Sequence, residues 1–259
     1  MPTNHVRERL ESDEPALGAR AETFSPTMVE VYGRLGYDFV WLDFEHGGPS
    51  PYDGTAFDAL VRAAESAGIE LLARLPSGDP PMIHKVLDTG VSTLLIPQVE
   101  SAEEIREAVE AAHFAYDGGP GARGFGGGRP TGWGEDGEGF TDRQDETVLV
   151  GAMLEHRDAI ENVEEILSVP ELGFAFIGAN DLSISLGHPQ QTDHPEVVEA
   201  IGTAEDACKE AGIPFGAPKH DTEAATEAIE NGYRVLRVGD EVGAVRDSLG
   251  ARLDTLRGV

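Results

Sequence analysis

Five polar clusters carry the chemistry of this chain, and each closes an apolar run: Asp43-Phe44-Glu45-His46-Gly47-Gly48, Arg74, Pro97-Gln98, Glu155, and Gly178-Ala179-Asn180-Asp181-Leu182-Ser183. The carboxylates of Glu155 and Asp181 form a matched pair. With water they suit an octahedral, oxygen-ligated Mg or Mn ion. His46 is the proton-transfer candidate, because imidazole titrates near neutral pH. Arg74 carries a permanent charge and can donate to an oxygen on which negative charge develops. No GxxxxGK[ST] run occurs, so the set reads as metal and base chemistry rather than as a phosphate cradle. Plainer readings stand beside these. Asp181 and Glu155 can each cap the helix that follows, Glu45 can be a loop acid, and Arg74 can pair with surface acids.

The elements that must position these groups alternate along the chain. Apolar runs at 16–20, 37–43, 70–75, 91–97, 147–154, 172–178, 213–216 and 233–238 read as strands. Amphipathic stretches at 26–35, 54–67, 80–89, 101–114, 157–168, 194–211, 221–231 and 242–256 read as helices. Ser101-x-x-Glu104 is a capping box for the fourth of them. The strands are continuous Val/Ile/Leu runs, which indicates sheets covered on both faces. Eight βα units in 259 residues predict an α/β protein with one TIM (β/α)8 barrel domain spanning 1–259. A long Gly-rich loop at about 116–145, containing Trp133 and Phe140, interrupts the rhythm. An open doubly wound sheet is the runner-up, weakened because no Gly-rich fingerprint follows the first strand. In a barrel the five clusters fall at the carboxyl ends of strands, where catalytic groups sit.

Composition narrows the functions. The chain has 48 acidic and 19 basic residues, a net charge of -29 and 40% hydrophobic residues. That acidity excludes phosphate-backbone binding and docking on anionic lipid, so neither nucleic acid nor membrane is an expected partner. No run approaches the roughly 18 apolar residues of a transmembrane helix, and the first residues lack the apolar core of a signal peptide. Cys208 is the single cysteine, so no intrachain disulfide forms and a cytoplasmic location is expected. The only lysines are Lys85, Lys209 and Lys219. An acidic, lysine-poor surface is what a salt-filled cytoplasm favours, and a halophilic source is inferred.

The runs Trp41-Leu42-Asp43-Phe44-Glu45-His46, Leu94-Leu95-Ile96-Pro97, Arg123-Gly124, Leu154-Glu155 and Phe176-Ile177-Gly178-Ala179-Asn180-Asp181-Leu182-Ser183 resemble the 4-hydroxy-2-oxoheptanedioate aldolase family. These are class II, metal-dependent pyruvate aldolases, and the likeness extends from about Ala16 to the last helix. The resemblance implies a TIM barrel, a divalent Mg or Mn ion (Co is also possible) and retro-aldol cleavage to pyruvate and an aldehyde. It also implies a homo-oligomer, trimer or hexamer, with an exchanged helix.

By the same resemblance Glu155 and Asp181 are the metal ligands, and Asp43 and Glu45 stand behind them. His46 is the base, acting through a metal-held water and oriented by Asp88 or Asp43. Arg74 stabilises the pyruvate enolate. The pyruvate carboxylate rests on backbone N–H groups of Gly178, Ala179, Asn180 and Asp181, and Gln98 contacts substrate. His220 follows the seventh strand and reads as a rim residue. Two departures stand out. Met153 replaces the usual Gln two residues before the metal Glu, and the segment after Arg123 is unusually rich in Gly, which bears on the aldehyde pocket. Trp133 and Phe140 in that loop either close over substrate or pack between subunits.

Three rivals remain open. A class I aldolase would need a Schiff-base lysine, for which Lys219 is the only plausible place. A lyase acting on a CoA thioester of the citramalyl type would share the acidic pair, but the chain is poor in basic residues for CoA phosphates. A barrel that kept the fold and altered its chemistry is the third, with Met153 in its favour.

Overall fold

The computed structural model of the protein describes residues 4–135 and 137–258. Eight parallel strands form one closed barrel in chain order. They are β1 (Ala16–Arg20), β2 (Phe39–Asp43), β3 (Glu70–Arg74), β4 (Thr93–Ile96), β5 (Leu149–Leu154), β6 (Leu172–Ile177), β7 (Phe215–Pro218) and β8 (Val235–Asp240). Pairing of β8 with β1, with Ala16 opposite Val235 and Gly18 opposite Arg237, closes the sheet and excludes the open doubly wound alternative. No helix among the described residues is long and apolar enough to cross a membrane.

Side chains alternate between the barrel interior and the helix layer, as strand geometry requires. Phe39, Trp41, Leu72, Leu95, Leu149, Met153, Phe174, Phe176 and Val235 fill the interior. Val40, Leu42, Leu71, Ala73, Leu94 and Val150 face outward to the helices. Two inward glycines make room for the rings. A Cβ at Gly18 would lie 2.1 Å from Phe39, and one at Gly151 would lie 2.3 Å from Phe174.

Seven helices lie where the periodicity predicts: Pro26–Leu35, Gly54–Ala67, Pro80–Leu87, Ala102–Ala112, Pro195–Ala211, Thr222–Glu230 and Glu241–Arg257. The capping box of Ser101 and Glu104 is formed. The stretch 157–168 is instead two short helices, Arg157–Glu161 and Val163–Leu167, broken at Asn162. There the Asn162 amide donates to the Glu100 carbonyl at 2.9 Å. The helix expected after Asp181 is Ala179–Ser185, directly after β6, while Phe140–Thr147 and His5–Glu11 escaped the sequence reading; the latter plugs the barrel floor. Val6 of the latter joins the interior cluster. The Asn4 amide ties its start to Thr93 at 2.8 Å and to the Thr147 carbonyl at 2.9 Å.

The Gly-rich loop holds a hairpin (Ala115–Tyr116 with Gly119–Pro120), a 3-10 turn (Arg129–Gly134) and a helix (Phe140–Thr147). It joins the end of helix Ala102–Ala112 to the start of β5, so it leaves the barrel at the amino ends of the strands, away from the catalytic rim. Arg129 fastens it to Asp58 and Glu65 on the flank of helix Gly54–Ala67. Phe140 is buried against Phe114 and Phe125. Trp133 is 69% exposed. Neither ring lines the rim cleft, so within one chain the loop does not shape that pocket.

Candidate active site

A cleft of about 340 Å³ opens at the carboxyl ends of the strands. Its walls include Arg20, Trp41, His46, Arg74, Met153, Gly178, Ala179, Asn180, Asp181, His220 and Arg237. The barrel places them there by parity: Arg20, Trp41, Arg74, Met153 and Arg237 occupy inward positions near the ends of β1, β2, β3, β5 and β8.

Arg74 is held by Asp43 from the neighbouring strand end. Nε donates to Asp43 Oδ1 at 3.0 Å, and Nη2 donates to Oδ2 at 2.6 Å. Arg20 approaches the same carboxylate at 3.1 Å. The backbone N–H groups of Glu45 and His46 each donate to Oδ1 at 3.2 Å. Burial works against the Asp43 charge. The Arg74 guanidinium, the His46 N–H and Arg20 outweigh it and hold the carboxyl below its usual range. The remaining Arg74 nitrogen, Nη1, faces Glu45 Oε2 at 2.8 Å and the Met153 sulfur at 3.8 Å. Met153 thus packs its sulfur against the Arg74 guanidinium.

The acids gather on the β5–β6 side. Glu155 accepts the backbone N–H of Gln98 at 2.8 Å, and the Gln98 side chain donates to Glu45 at 3.0 Å. Gln98 therefore bridges two acids, doing so from a left-handed backbone with φ of 50°. Burial, and then the charges of Glu45 and Asp181, push the Glu155 carboxyl up to about 7 against the opposing pull of the Gln98 N–H. Glu155 Oε2 is buried without a hydrogen-bond partner among the described residues. Converging acids with an unpartnered buried oxygen are what a divalent cation neutralises, so these residues fit such an ion. Gly178 keeps the space clear, since a Cβ there would sit 2.6 Å from Glu155 Oε2.

The capping alternative fails for both acids. Gly178 and His156 occupy the N-cap positions, and neither Glu155 nor Asp181 bonds a helix terminus. Two further His and carboxylate groups, His188 with His194 and Glu196, and Glu100 with His156 and Asp158, are geometrically close enough for a metal ion, but they lie outside the cleft walls.

His46 reaches the cleft with its ring largely exposed, Nε2 3.6 Å from Glu45 Oε2. Its expected orienting carboxylates lie elsewhere. Asp43 bonds the His46 backbone and holds Arg74 and Arg20. Asp88 caps the far end of helix Pro80–Leu87, beside Gly126 and toward the amino ends of the strands, and cannot serve His46 of its own subunit. Lys219 lies over the Tyr233 ring at 4.8 Å and is not part of the cleft wall, which removes the Schiff-base position. The reading of the sequence missed Arg20 and Arg237. Their signal was present: each follows a barrel-facing residue, Gly18 or Val235, by two positions.

Comparison with known proteins places the sequence and the fold. A family profile described as HpcH/HpaI aldolase/citrate lyase matches residues 21–248. A hydroxypyruvate/pyruvate aldolase of Sagittula stellata is 31% identical over 97% of both chains. A 2-keto-3-deoxy-L-rhamnonate aldolase of Escherichia coli is 31% identical over 97% of this chain and 92% of its own. A solved HpcH/HpaI aldolase/citrate lyase family protein from Burkholderia cenocepacia superposes with a TM-score of 0.91 at 30% identity, covering 98% of this chain and 100% of the other. Fold, cleft and sequence thus lead to one conclusion: the chain belongs to the HpcH/HpaI aldolase/citrate lyase family.

Proposed function

We propose that the protein is a divalent-metal-dependent aldolase that cleaves 4-hydroxy-2-oxoacids to pyruvate and an aldehyde, and joins them in reverse. The observation that carries this reading is the clamped Arg74 facing the same cleft as His46 and Asp181, with the unpartnered Oε2 of Glu155 buried directly behind Gly178 of the cleft wall. Glu155 and Asp181 would hold the ion, Mg or Mn. When bound, it supplies Lewis-acid polarisation of the 2-oxoacid.

The chain's own groups do the rest. His46 takes the proton of the C4 hydroxyl, the C3–C4 bond breaks, and its electron pair moves toward the C2 oxygen. Arg74, charged and already oriented, donates to that oxygen as it becomes an enolate, at no cost of reorganisation. Return of a proton to C3 gives pyruvate. The first N–H groups at Ala179 and Asn180 have no partner within their helix and suit the pyruvate carboxylate. Pyruvate release from 4-hydroxy-2-oxoacids, assayed with Mg or Mn and again after EDTA, tests the reading. Metal-stimulated release across acid chain lengths is expected, and turnover indifferent to metal overturns it.

We further propose a cytoplasmic homo-oligomer, trimer or hexamer. Helix Glu241–Arg257 exposes Val242, Val245, Leu249, Leu253 and Leu256 along one stripe, an apolar face that a second subunit would cover. Asp88 could then orient a His46 only across that assembly. Light scattering should give a multiple of 27.6 kDa, and Leu249→Asp with Leu253→Asp should lower it. A wild-type monomer sinks this reading.

A further inference from the structure

A cavity of about 510 Å³, larger than the cleft, lies at the other end of the barrel, beside the amino ends of β3 and β4. Val61 and Ala64 of helix Gly54–Ala67, Leu71 of β3, Leu87 of helix Pro80–Leu87 and Val91 give it apolar walls. One acid in that wall has no basic partner. Glu70, the first residue of β3, accepts the Ser92 hydroxyl at 2.9 Å and makes no ion pair among the described residues. Ser92 is held in turn by the Asn4 amide at 3.2 Å. Burial pushes the Glu70 carboxyl up to about 7, against the pull of the Ser92 hydroxyl and of the Leu71 and Ser92 N–H groups, and no neighbouring charge offsets it. The other charged groups of the wall are engaged elsewhere. Arg129 pairs with Glu65 at 3.1 Å and with Asp58, and His5 touches the wall without an ion pair to Glu70.

A carboxyl set among apolar groups is costly to ionise, and a cation that joins it relieves that cost. The cavity also says what kind of cation. Its volume is that of a small-molecule site, and a bare or hydrated metal ion would leave its apolar walls unfilled. An anion would meet two acids, Glu65 and Glu70. We propose that this cavity binds a small organic monocation, an amine whose ammonium pairs with Glu70 and whose hydrocarbon part lies on Val61, Leu87 and Val91. The site stands apart from the catalytic cleft and does not depend on the aldolase reading.

The probe is pentylamine, compared with 1-pentanol and pentanoate, which keep the chain and change the charge. Calorimetric titration of the full chain is run in about 1 M KCl, where the Debye length of about 3 Å screens amines on the acidic surface more than a buried pair. It should show one site per chain, with pentylamine bound at least about 10-fold more tightly than either analogue. Glu70→Gln, checked for folding by circular dichroism, should reduce amine affinity to that of the alcohol. Glu155→Gln, which alters an acid of the cleft, should leave it unchanged. Methyl NMR of the wild type places the ligand without any variant: resonances of Val61, Leu87 and Val91 should shift with pentylamine, and that of Met153 in the cleft should not. No amine binding, equal affinity for amine and alcohol, amine affinity that survives Glu70→Gln, or shifts confined to Met153 overturns the assignment. If Glu70→Gln does not fold, the methyl shifts and the comparison of the three probes decide it.

Discussion

Asp43 is the residue on which the cleft turns, because one buried carboxylate orients Arg74, anchors Arg20 and fixes the turn that carries His46. A bidentate carboxylate grips a guanidinium in one plane, which a single acceptor does not. Asp43→Asn keeps the shape and removes the charge. It should lower kcat by about 10- to 100-fold with a smaller change in KM, since the contact to a developing enolate is made mainly in the transition state. Steady-state kinetics check this, and a wild-type kcat would refute it. It should also lower Tm, because it leaves two buried or half-buried arginines short of an acid. The sequence placed Asp43 near the chemistry but behind the metal ligands. A strand-end acid and a strand-end arginine on adjacent strands are not visibly paired until the register sets Asp43 opposite Arg74.

At the scale of elements, the junction of β6 with helix Ala179–Ser185 builds the acidic side of the site. Gly178 is required there by close approach rather than by backbone angle. Gly178→Ala forces a methyl group against Glu155 Oε2 and the Glu155 stem. The carboxylate must move, and Mn affinity measured by calorimetry should fall by about 10-fold or more while circular dichroism stays unchanged. Unaltered affinity would show that Glu155 does not hold the ion. The sequence reading expected a helix to start here, but periodicity left its length open, because seven residues give barely two turns. For Trp133 and Phe140 of the loop 116–145, the sequence offered closure over substrate or packing between subunits; closure within one chain is excluded because a segment between a helix and the next strand must start at the amino ends of the strands.

For the whole molecule, a net charge of -29 sets a condition on folding. Most of the acids lie on helix surfaces with too few basic partners, and their mutual repulsion is screened only by salt. The Debye length shrinks from about 10 Å at 0.1 M to about 3 Å at 1 M. Tm should therefore rise by at least roughly 5 °C between about 0.1 and about 2 M KCl, measured by scanning calorimetry. A Tm independent of KCl would contradict the halophilic reading. The plugged, closed barrel itself depends little on charge: its middle is apolar, between the neutral Asn4–Thr93 contact at the floor and the rim where Asp43, Arg74 and Glu155 begin.

The sequence by itself determined the barrel, its order of elements and the acids, histidine and arginine at the strand ends, because strand and helix periodicities and the polar residues that end them are local properties. Only the tertiary structure decided which of those groups meet. It gave Asp43 to Arg74, made Gln98 a bridge between Glu45 and Glu155, removed Asp88 and Lys219 from the cleft and brought Arg20 and Arg237 into its wall. Those outcomes depend on register and barrel closure, which join residues far apart in the chain, and no spacing along one strand records them.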